Sequence, residues 1–236
     1  MEEIRSLVIG ATGLVGGEIL KIIKEKGGDV SLLSRSPLNN KSDDLKEYIL
    51  NFNKIDEFNM PKFDHIYISI GTRLDTSELI YIKESKREKF IEVDYSFVIN
   101  IAKKAFSSGA KSIAVVSAIG ADKDSSNLYL QTKGKMEEEI KLIGYETVVI
   151  AQPGHLLGNR PNDKFRFEVP LMEFGAKLFE PLMVGPLKNL RFISAFKVGK
   201  AMFNFMNSNK KGIFKLKYEE FMNCLLYTSD AADECS

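Results

Sequence analysis

Residues 10–16 read Gly10-Ala11-Thr12-Gly13-Leu14-Val15-Gly16 and lie between an apolar run at 4–9 and a segment of helical period at 14–26. Glycines at this spacing, where a strand ends and a helix begins, are typical of a dinucleotide-binding turn. Gly10 permits a tight turn, Gly13 lets backbone N–H groups approach a pyrophosphate, and Gly16 lets the helix pack close to the strand. The helix N-terminus adds positive partial charge that favours the anion. The predicted dinucleotide contacts are Gly10, Thr12, Gly13, Leu14, Val15 and Gly16. The alternative is a glycine-rich turn without a ligand.

Outside this turn, strand-like apolar runs alternate with segments of helical period. The runs lie at 4–9, 30–34, 48–52, 66–70, 112–117 and 147–151, and the helical segments at 14–26, 94–106 and 128–142. This alternation predicts an α/β fold, a doubly wound parallel sheet of the Rossmann type. After Pro153 the sequence becomes rich in Asn, Pro and Arg, with amphipathic stretches at 169–178 and 196–206. We expect residues 1–223 to form a single domain, with a small C-terminal segment at about 154–206 that covers the substrate.

The composition of the 236-residue chain excludes several classes of protein. It is 44% hydrophobic and carries 33 basic and 32 acidic side chains, which excludes a disordered or collagenous chain. No basic arm or basic stripe interleaved with aromatic residues is present, so we expect no nucleic-acid partner. No transmembrane span or signal peptide is visible, so we expect no membrane association.

Residues 224–236 resemble a translated sequencing-library adapter rather than selected protein, and we interpret them as non-native. Both cysteines, Cys224 and Cys235, lie there, and the rest of the chain has 33 basic and 29 acidic side chains. A chain without other cysteines has no disulfide scaffold, no cysteine-ligated zinc and no thiol nucleophile, which agrees with a cytoplasmic location. The alternative is an ordinary polar tail.

The second predicted strand ends at Ser34-Arg35-Ser36. Residues at this point usually determine whether a Rossmann-type site binds NAD or NADP. An acidic side chain here would accept hydrogen bonds from the ribose 2′-hydroxyl and repel a 2′-phosphate. Arg35 can instead pair with a phosphate and stack on adenine, and both serine hydroxyls can donate. We therefore predict that NADP(H) is preferred over NAD(H); the alternative is that Arg35 is an ordinary surface arginine. Asn51 and Phe52, at the end of the next predicted strand, are expected at the adenine edge.

A Tyr-x-x-x-Lys spacing, Tyr129 to Lys133, follows an apolar strand that ends at Ser117. Positions i and i+4 share one helix face, so the phenol and the ammonium point the same way. The ammonium lowers the cost of ionising Tyr129, and it can also hold the nicotinamide ribose hydroxyls. Tyr129 could then exchange a proton with a substrate oxygen that Ser117 hydrogen-bonds. The candidate catalytic residues are therefore Ser117, Tyr129 and Lys133. The alternative is that Tyr129 and Lys133 lie on an ordinary helix surface and have no catalytic role.

Two histidines complete the candidates. His65 precedes a strand and is interpreted as an ordinary strand-edge residue, whereas His155 follows Pro153-Gly154 and either faces the cofactor or is satisfied by backbone. Two distant histidines without clustered carboxylates predict no metal site.

Together these motifs resemble the short-chain dehydrogenase/reductase superfamily, and within it the atypical members similar to the Tat-interactive protein oxidoreductases and their bacterial relatives. The resemblance spans roughly residues 4–206. The motifs that carry it are residues 10–16, Ile70-Gly71-Thr72-Arg73, Ser117, Gly120-Ala121-Asp122, residues 128–134 and residues 153–160.

The resemblance implies a Rossmann-like fold that binds NADP(H), with Tyr129 as acid/base, Lys133 on the ribose and Ser117 polarising the substrate oxygen. It further implies that Gly71 and Thr72 line the pyrophosphate and ribose. Residues 153–156, which include Pro153, His155 and Leu156, would line the nicotinamide.

This sequence departs from the superfamily pattern at three positions. Asp94 stands where many members have an asparagine on the helix before the serine strand, so a water-mediated proton relay is not carried over. Ala118 stands where a second serine is frequent, and Asn51 replaces a common aspartate on the adenine side.

We expect an NADP(H)-dependent oxidoreductase that transfers a hydride between the nicotinamide and a small carbonyl or alcohol substrate. One alternative is a redox-sensing regulatory protein that binds NADP(H) and engages a protein partner through residues 160–205. Another is an epimerase or dehydratase acting on a nucleotide-linked sugar, which would want a larger substrate domain than the part beyond Pro153 provides. A monomer and a homodimer are both compatible with the resemblance.

Overall fold

The computed structural model describes residues 4–38, 45–157 and 191–223. Most of the predicted substrate-covering segment, including the amphipathic stretch at 169–178, lies outside the described residues, and so does the tail at 224–236.

Seven of the described strands form one sheet. They are β1 (Arg5–Ile9), β2 (Asp29–Ser34), β3 (Lys46–Ile49), β4 (His65–Ile68), β5 (Ser112–Val116), β6 (Thr147–Ala151) and β9 (Gly212–Leu216). Their order is β3-β2-β1-β4-β5-β6-β9, and every neighbouring pair is parallel. Two short strands, β7 (Leu156–Leu157) and β8 (Ile193–Ser194), pair separately. The predicted α/β fold with a doubly wound parallel sheet is confirmed.

Helices connect these strands. The α-helices are α1 (Leu14–Glu25), α2 (Thr76–Ile80), α3 (Glu84–Ile91), α4 (Phe97–Ser107), α5 (Leu128–Leu142), α6 (Ala195–Met206) and α7 (Tyr218–Asn223). A 3₁₀ helix spans Phe52–Glu57, and a π-helical turn, Glu92–Ser96, joins α3 to α4. Among the described residues, no helix has both the length and the apolar character needed to cross a membrane.

Successive residues of the central strands enter two separate hydrophobic cores. Leu7 and Ile9 of β1 belong to the core that contains α4, whereas Val8 belongs to the core that contains α1 and α6. A strand buried on both faces needs apolar side chains at every position, which explains the continuous apolar runs of the sequence.

The sequence misplaced some boundaries. The strand predicted at 48–52 ends at Ile49, and Phe52 begins a 3₁₀ helix, where its buried ring packs on Phe97. The strand β9 was not predicted. Among the described strands it pairs with β6 alone, and its residues are mostly exposed, so its sequence lacks an apolar run.

Candidate functional site

A cavity of about 320 Å³ lies at the carboxyl ends of the central strands. Its lining includes Gly10 after β1, Ser69 after β4, Ser117 after β5 and Pro153 after β6. In doubly wound sheets, ligands bind at this edge, where the strand order reverses. The reversal occurs here at β1, because β2 and β4 flank it on opposite sides.

The glycine turn forms one wall of the cavity. Gly10 has a φ of +92°, which favours glycine, and its carbonyl accepts the N–H of Gly13 at 2.9 Å. A Cβ at Gly16 would overlap the Gly10 carbonyl oxygen and Ser69 Oγ. Gly16 therefore lets α1 pack closely against the sheet, and it does not line the cavity.

The beginning of α1 and the side chain of Thr72 suit a polar, anionic ligand. Helix α1 has no side-chain hydrogen bond at its N-cap and no acidic residue in its first turn, so its first N–H groups can bind an anion. The hydroxyl oxygen of Thr72 is buried and has no hydrogen-bond partner among the described residues. A buried polar atom usually has a partner, and a ligand hydroxyl or phosphate would supply one. These residues fit a dinucleotide.

The cavity brings together most of the predicted site residues. Those that line it are Gly10, Thr12, Gly13, Leu14, Val15, Arg35, Phe52, Gly71, Thr72, Ser117, Tyr129, Lys133, Pro153 and Leu156. Asn51 lies outside the lining, because its side chain caps the 3₁₀ helix by accepting the N–H of Asn53 at 3.1 Å. His155 also lies outside it, with its ring 4.7 Å from that of Phe192 between centroids.

A smaller recess of about 90 Å³ extends from the glycine turn to the end of β2. Arg35 lines it, as the prediction of a phosphate site requires, and Glu47 of β3 lines it too. The hydroxyl of Ser34 lies 2.8 Å from Glu47 Oε1 and 2.8 Å from the carbonyl oxygen of Ser36. The hydrogen of Ser34 is therefore shared within the chain, and the expectation that both serine hydroxyls can donate to a phosphate stays a prediction.

Tyr129 and Lys133 project from α5 into the main cavity together with Asp94 of the π-helical turn. Lys133 Nζ lies 2.8 Å from Asp94 Oδ1, and both side chains are almost fully buried, with 6% and 2% exposed. Asp94 Oδ2 accepts the N–H of Thr72 at 2.6 Å. Asp94 therefore connects the loop after β4 to the candidate catalytic lysine.

The surroundings of Tyr129 and Lys133 keep both groups protonated. Burial raises the pKa of Tyr129; Lys133 opposes this shift and Asp94 adds to it. Burial alone would lower the pKa of Lys133, but Asp94, Tyr129 and Glu137 together outweigh burial, so the pKa is raised. The contribution of Lys133 has the predicted sign, yet Tyr129 is a neutral phenol at neutral pH and is suited to donate a proton.

The hydroxyl of Ser117 is held by a buried carboxylate. It donates to Glu137 Oε1 at 2.6 Å, and Gln152 Nε2 donates to the same oxygen at 2.7 Å. The other oxygen, Glu137 Oε2, pairs with Lys215 of β9 at 2.9 Å, and the Glu137 side chain is 1% exposed. To polarise a substrate oxygen, Ser117 would have to turn its hydrogen away from Glu137.

The sequence reasoning missed Glu137, Gln152 and the pairing of Asp94 with Lys133. Glu137 was detectable, because it lies four residues after Lys133 and eight after Tyr129, on the same helix face. Asp94 interrupts the apolar positions around Val93 and Phe97, which marks a buried acid that requires a partner. The ion pair of Lys215 with Glu137 depends on strand β9, which was not predicted, so no pattern in the sequence indicated this pair.

No protein-family model matches the chain. Protein FMP52, mitochondrial, from Lodderomyces elongisporus is 31% identical over 227 residues, which cover 89% of each chain. Protein HTATIP2 from Rattus norvegicus is 28% identical over 165 residues, which cover 66% of this chain and 64% of that protein. The structure resembles a short-chain dehydrogenase/reductase superfamily protein from Agrobacterium tumefaciens with bound NAD, with a TM-score of 0.63, 14% identity, and coverage of 90% of this chain and 77% of that chain.

The fold, the cavity and these similarities agree with the resemblance drawn from the motifs. The first relative covers nearly the whole chain at an identity that establishes the family. The chain belongs to the FMP52 family, is also similar to HTATIP2, and has the Rossmann-type fold of the short-chain dehydrogenase/reductase structure that it resembles.

Proposed function

We propose that the chain is an NADP(H)-dependent oxidoreductase that transfers a hydride between the nicotinamide and a small carbonyl or alcohol substrate. The observation that carries the proposal is the position of Tyr129 and Lys133, which line the same cavity as the glycine turn. An acid/base group and a dinucleotide-binding turn in one cavity are the parts that hydride transfer to a carbonyl requires.

The bound dinucleotide would supply the hydride, and the chain's own residues would supply the proton and the orientation. In the direction of reduction, the neutral phenol of Tyr129 donates its proton to the carbonyl oxygen as that oxygen gains negative charge. Lys133 holds the ribose hydroxyls and stabilises the resulting phenolate, while Asp94 fixes the Lys133 ammonium in place. Ser117 contacts the same substrate oxygen after its hydroxyl turns from Glu137. In the direction of alcohol oxidation the proton returns to Tyr129.

Arg35 supports a preference for NADP(H) over NAD(H). Its side chain lines both the main cavity and the recess beyond the glycine turn. A guanidinium there can donate two parallel hydrogen bonds to a 2′-phosphate and can stack on the adenine ring.

Cofactor binding is the first test of this proposal. The chain contains no tryptophan, so nucleotide fluorescence can be followed with little competing emission. We expect NADPH to bind more tightly than NADH, and Arg35→Ala to weaken NADPH selectively. Arg5→Ala, at the opposite end of β1, is the matched control and should change neither affinity. If neither nucleotide binds the unaltered chain, the dinucleotide proposal is wrong.

Turnover is the second test, with a panel of small aldehydes and ketones and NADPH oxidation as the readout. We expect Tyr129→Phe to abolish turnover and to leave NADPH affinity unchanged, whereas Tyr81→Phe, on an exposed ring, should leave both unchanged. A chain that binds NADPH tightly and turns over none of the panel would favour a redox-sensing protein with a protein partner.

The compartment belongs to the proposal as well. The FMP52 relative is named as mitochondrial, whereas the name of the HTATIP2 relative gives no compartment. Cytoplasmic location therefore stays a prediction, and fractionation of cells that express the chain would test it against a mitochondrial location.

A further inference from the structure

The recess at the end of β2 contains two side chains of opposite charge. Arg35 lies just after β2, and Glu47 lies on the neighbouring strand β3, opposite Leu32 in the register. Gly10, Thr12 and Phe52 complete the part of the recess nearest the main cavity. Any group that reaches Arg35 along the glycine turn therefore enters a space that Glu47 also lines.

The position of Glu47 is fixed by hydrogen bonds. Glu47 Oε1 accepts the hydroxyl of Ser34 at 2.8 Å and the N–H of Leu38 at 3.0 Å. These bonds tie the segment 34–38, which carries Arg35, to strand β3. They also hold the Glu47 carboxylate in the recess, since β3 is paired with β2 over four residues.

A carboxylate and a guanidinium in one recess have opposite effects on the two dinucleotides. An acidic side chain accepts hydrogen bonds from the 2′-hydroxyl of an adenosine ribose and repels a 2′-phosphate. This acid normally stands at the end of the second strand, where the present chain has Arg35. Here the acid comes from the next strand instead, so a search of the β2 terminus alone does not find it.

We propose that Glu47 is a selectivity-determining residue of the dinucleotide site: it weakens NADP(H) binding and supports NAD(H), so that the chain uses both cofactors and its preference for NADP(H) is limited. This proposal rests on the proposed dinucleotide-binding function. Arg35 attracts the 2′-phosphate, and Glu47 sets how far that attraction separates the two affinities.

The test is the ratio of NADPH affinity to NADH affinity, measured by nucleotide fluorescence at low salt on the full chain and on Glu47→Gln. Glutamine keeps an oxygen that can accept from Ser34 and Leu38, so the segment 34–38 stays in place while the charge is removed. We expect the ratio to rise about fivefold or more in Glu47→Gln, and the rise to shrink as salt screens the charge. Glu57→Gln, an exposed carboxylate at the end of the 3₁₀ helix, should leave the ratio unchanged.

Ser34→Ala distinguishes the effect of the Glu47 charge from the effect of the Glu47 position, because it removes the hydroxyl that is bonded to Glu47 and keeps the carboxylate. We expect Ser34→Ala to lower both affinities together without raising the ratio. A ratio that stays within about twofold in a folded Glu47→Gln, or that falls, overturns the proposal. If neither NADPH nor NADH binds to the unaltered chain, the proposed function itself is overturned. Circular dichroism of each variant shows whether that variant is folded, so that weak binding by a folded variant is not confused with unfolding.

Discussion

The pair formed by Asp94 and Lys133 places two opposite charges almost entirely out of water. Removing one partner of such a pair is far more costly than the pair's net contribution, because the remaining charge has lost both its partner and its hydration. The candidate catalytic lysine therefore depends on Asp94 for its charge state as well as for its position.

Asp94→Asn should destabilise the protein by about 3–5 kcal/mol, because Lys133 is left buried without a counter-charge. Urea unfolding at neutral pH measures the loss. Glu139→Gln breaks the exposed pair between Glu139 and Lys103, at 2.7 Å, and should cost far less, because solvent screens both charges. Equal losses in the two variants would contradict this account of Lys133.

The same pair has a signature in alkali. The pKa of Lys133 is raised in the folded chain, so its contribution to stability is fully present below its ordinary pKa and is lost as the pH rises through the folded value. Asp94→Asn removes this contribution at neutral pH. The difference in melting temperature between the unaltered chain and Asp94→Asn should therefore shrink when the pH is raised above about 10.

The spacing of Tyr129 and Lys133, together with the upstream glycine turn and Ser117, predicted that the two side chains share one helix face at the site, because a helix brings positions i and i+4 together. It could not predict that Asp94 bonds to Lys133, since that contact joins residues far apart in sequence and depends on the packing of α5 on the π-helical turn. Helical spacing predicts which side chains share one face of a helix, whereas tertiary packing determines which residues of other elements contact that face.

At the scale of elements, Gly134 lets α5 pack closely against the loop that follows Ser117, because glycine has no side chain. A Cβ at this position would overlap the backbone of Asp122 and Lys123. The close approach brings Ser117 and Tyr129, from a loop and a helix, into one cavity.

Gly134→Ala should push this loop away from α5. Alanine favours the helix by about 1 kcal/mol, but overlap with backbone atoms cannot be relieved by a rotamer change, so we expect a net loss of about 1–3 kcal/mol. Thermal unfolding measures it, and Lys135→Ala on the exposed face of the same helix should change stability little. If Gly134→Ala is neutral or stabilising, the loop is more compliant than its contacts indicate.

The elements that the sequence predicted well are those buried on both sides. Strand β6 (Thr147–Ala151) has the predicted boundaries, since every residue in it is buried and the four residues after Thr147 are apolar. Strand β9 was missed for the opposite reason, because Ile213 and Lys215 face solvent at least in part and only Leu216 is buried. An edge strand is stabilised by backbone pairing with its one neighbour, and backbone pairing leaves a weak signal in the side chains.

At the scale of the molecule, the last strand of the sheet contributes to the candidate site through one side chain. Lys215 on β9 reaches the buried Glu137 on α5, which in turn holds Ser117. A network of this kind, with each member bonded, fixes the relative positions of the elements that it joins.

Lys215→Met should leave the carboxylate of Glu137 buried without its cation. Lys215 is 40% exposed and therefore partly screened, so we expect a loss of about 1–3 kcal/mol rather than the full cost of a buried pair. Lys211→Met, which breaks the exposed pair between Lys211 and Glu146 just before the same strand, should cost less than Lys215→Met, because solvent screens both charges of that pair. Denaturant titration of both variants, side by side, makes the comparison.

A larger loss in Lys211→Met than in Lys215→Met would contradict the role assigned to Glu137. Lys215→Met, Glu137→Gln and the variant that combines them form a double-mutant cycle, in which removal of both charges should recover part of the loss from Lys215→Met alone.

The link from β9 to Ser117 also sets an order of events during synthesis. The glycine turn, β1 and β2 are synthesised within the first 34 residues, before strand β4, which pairs with β1 on its other side. Glu137 emerges long before Lys215, and until that strand is made the carboxylate beside Ser117 has no cation from β9. In order of synthesis, the dinucleotide turn therefore comes first, and the cation that neutralises the carboxylate beside Ser117 comes about eighty residues after that carboxylate.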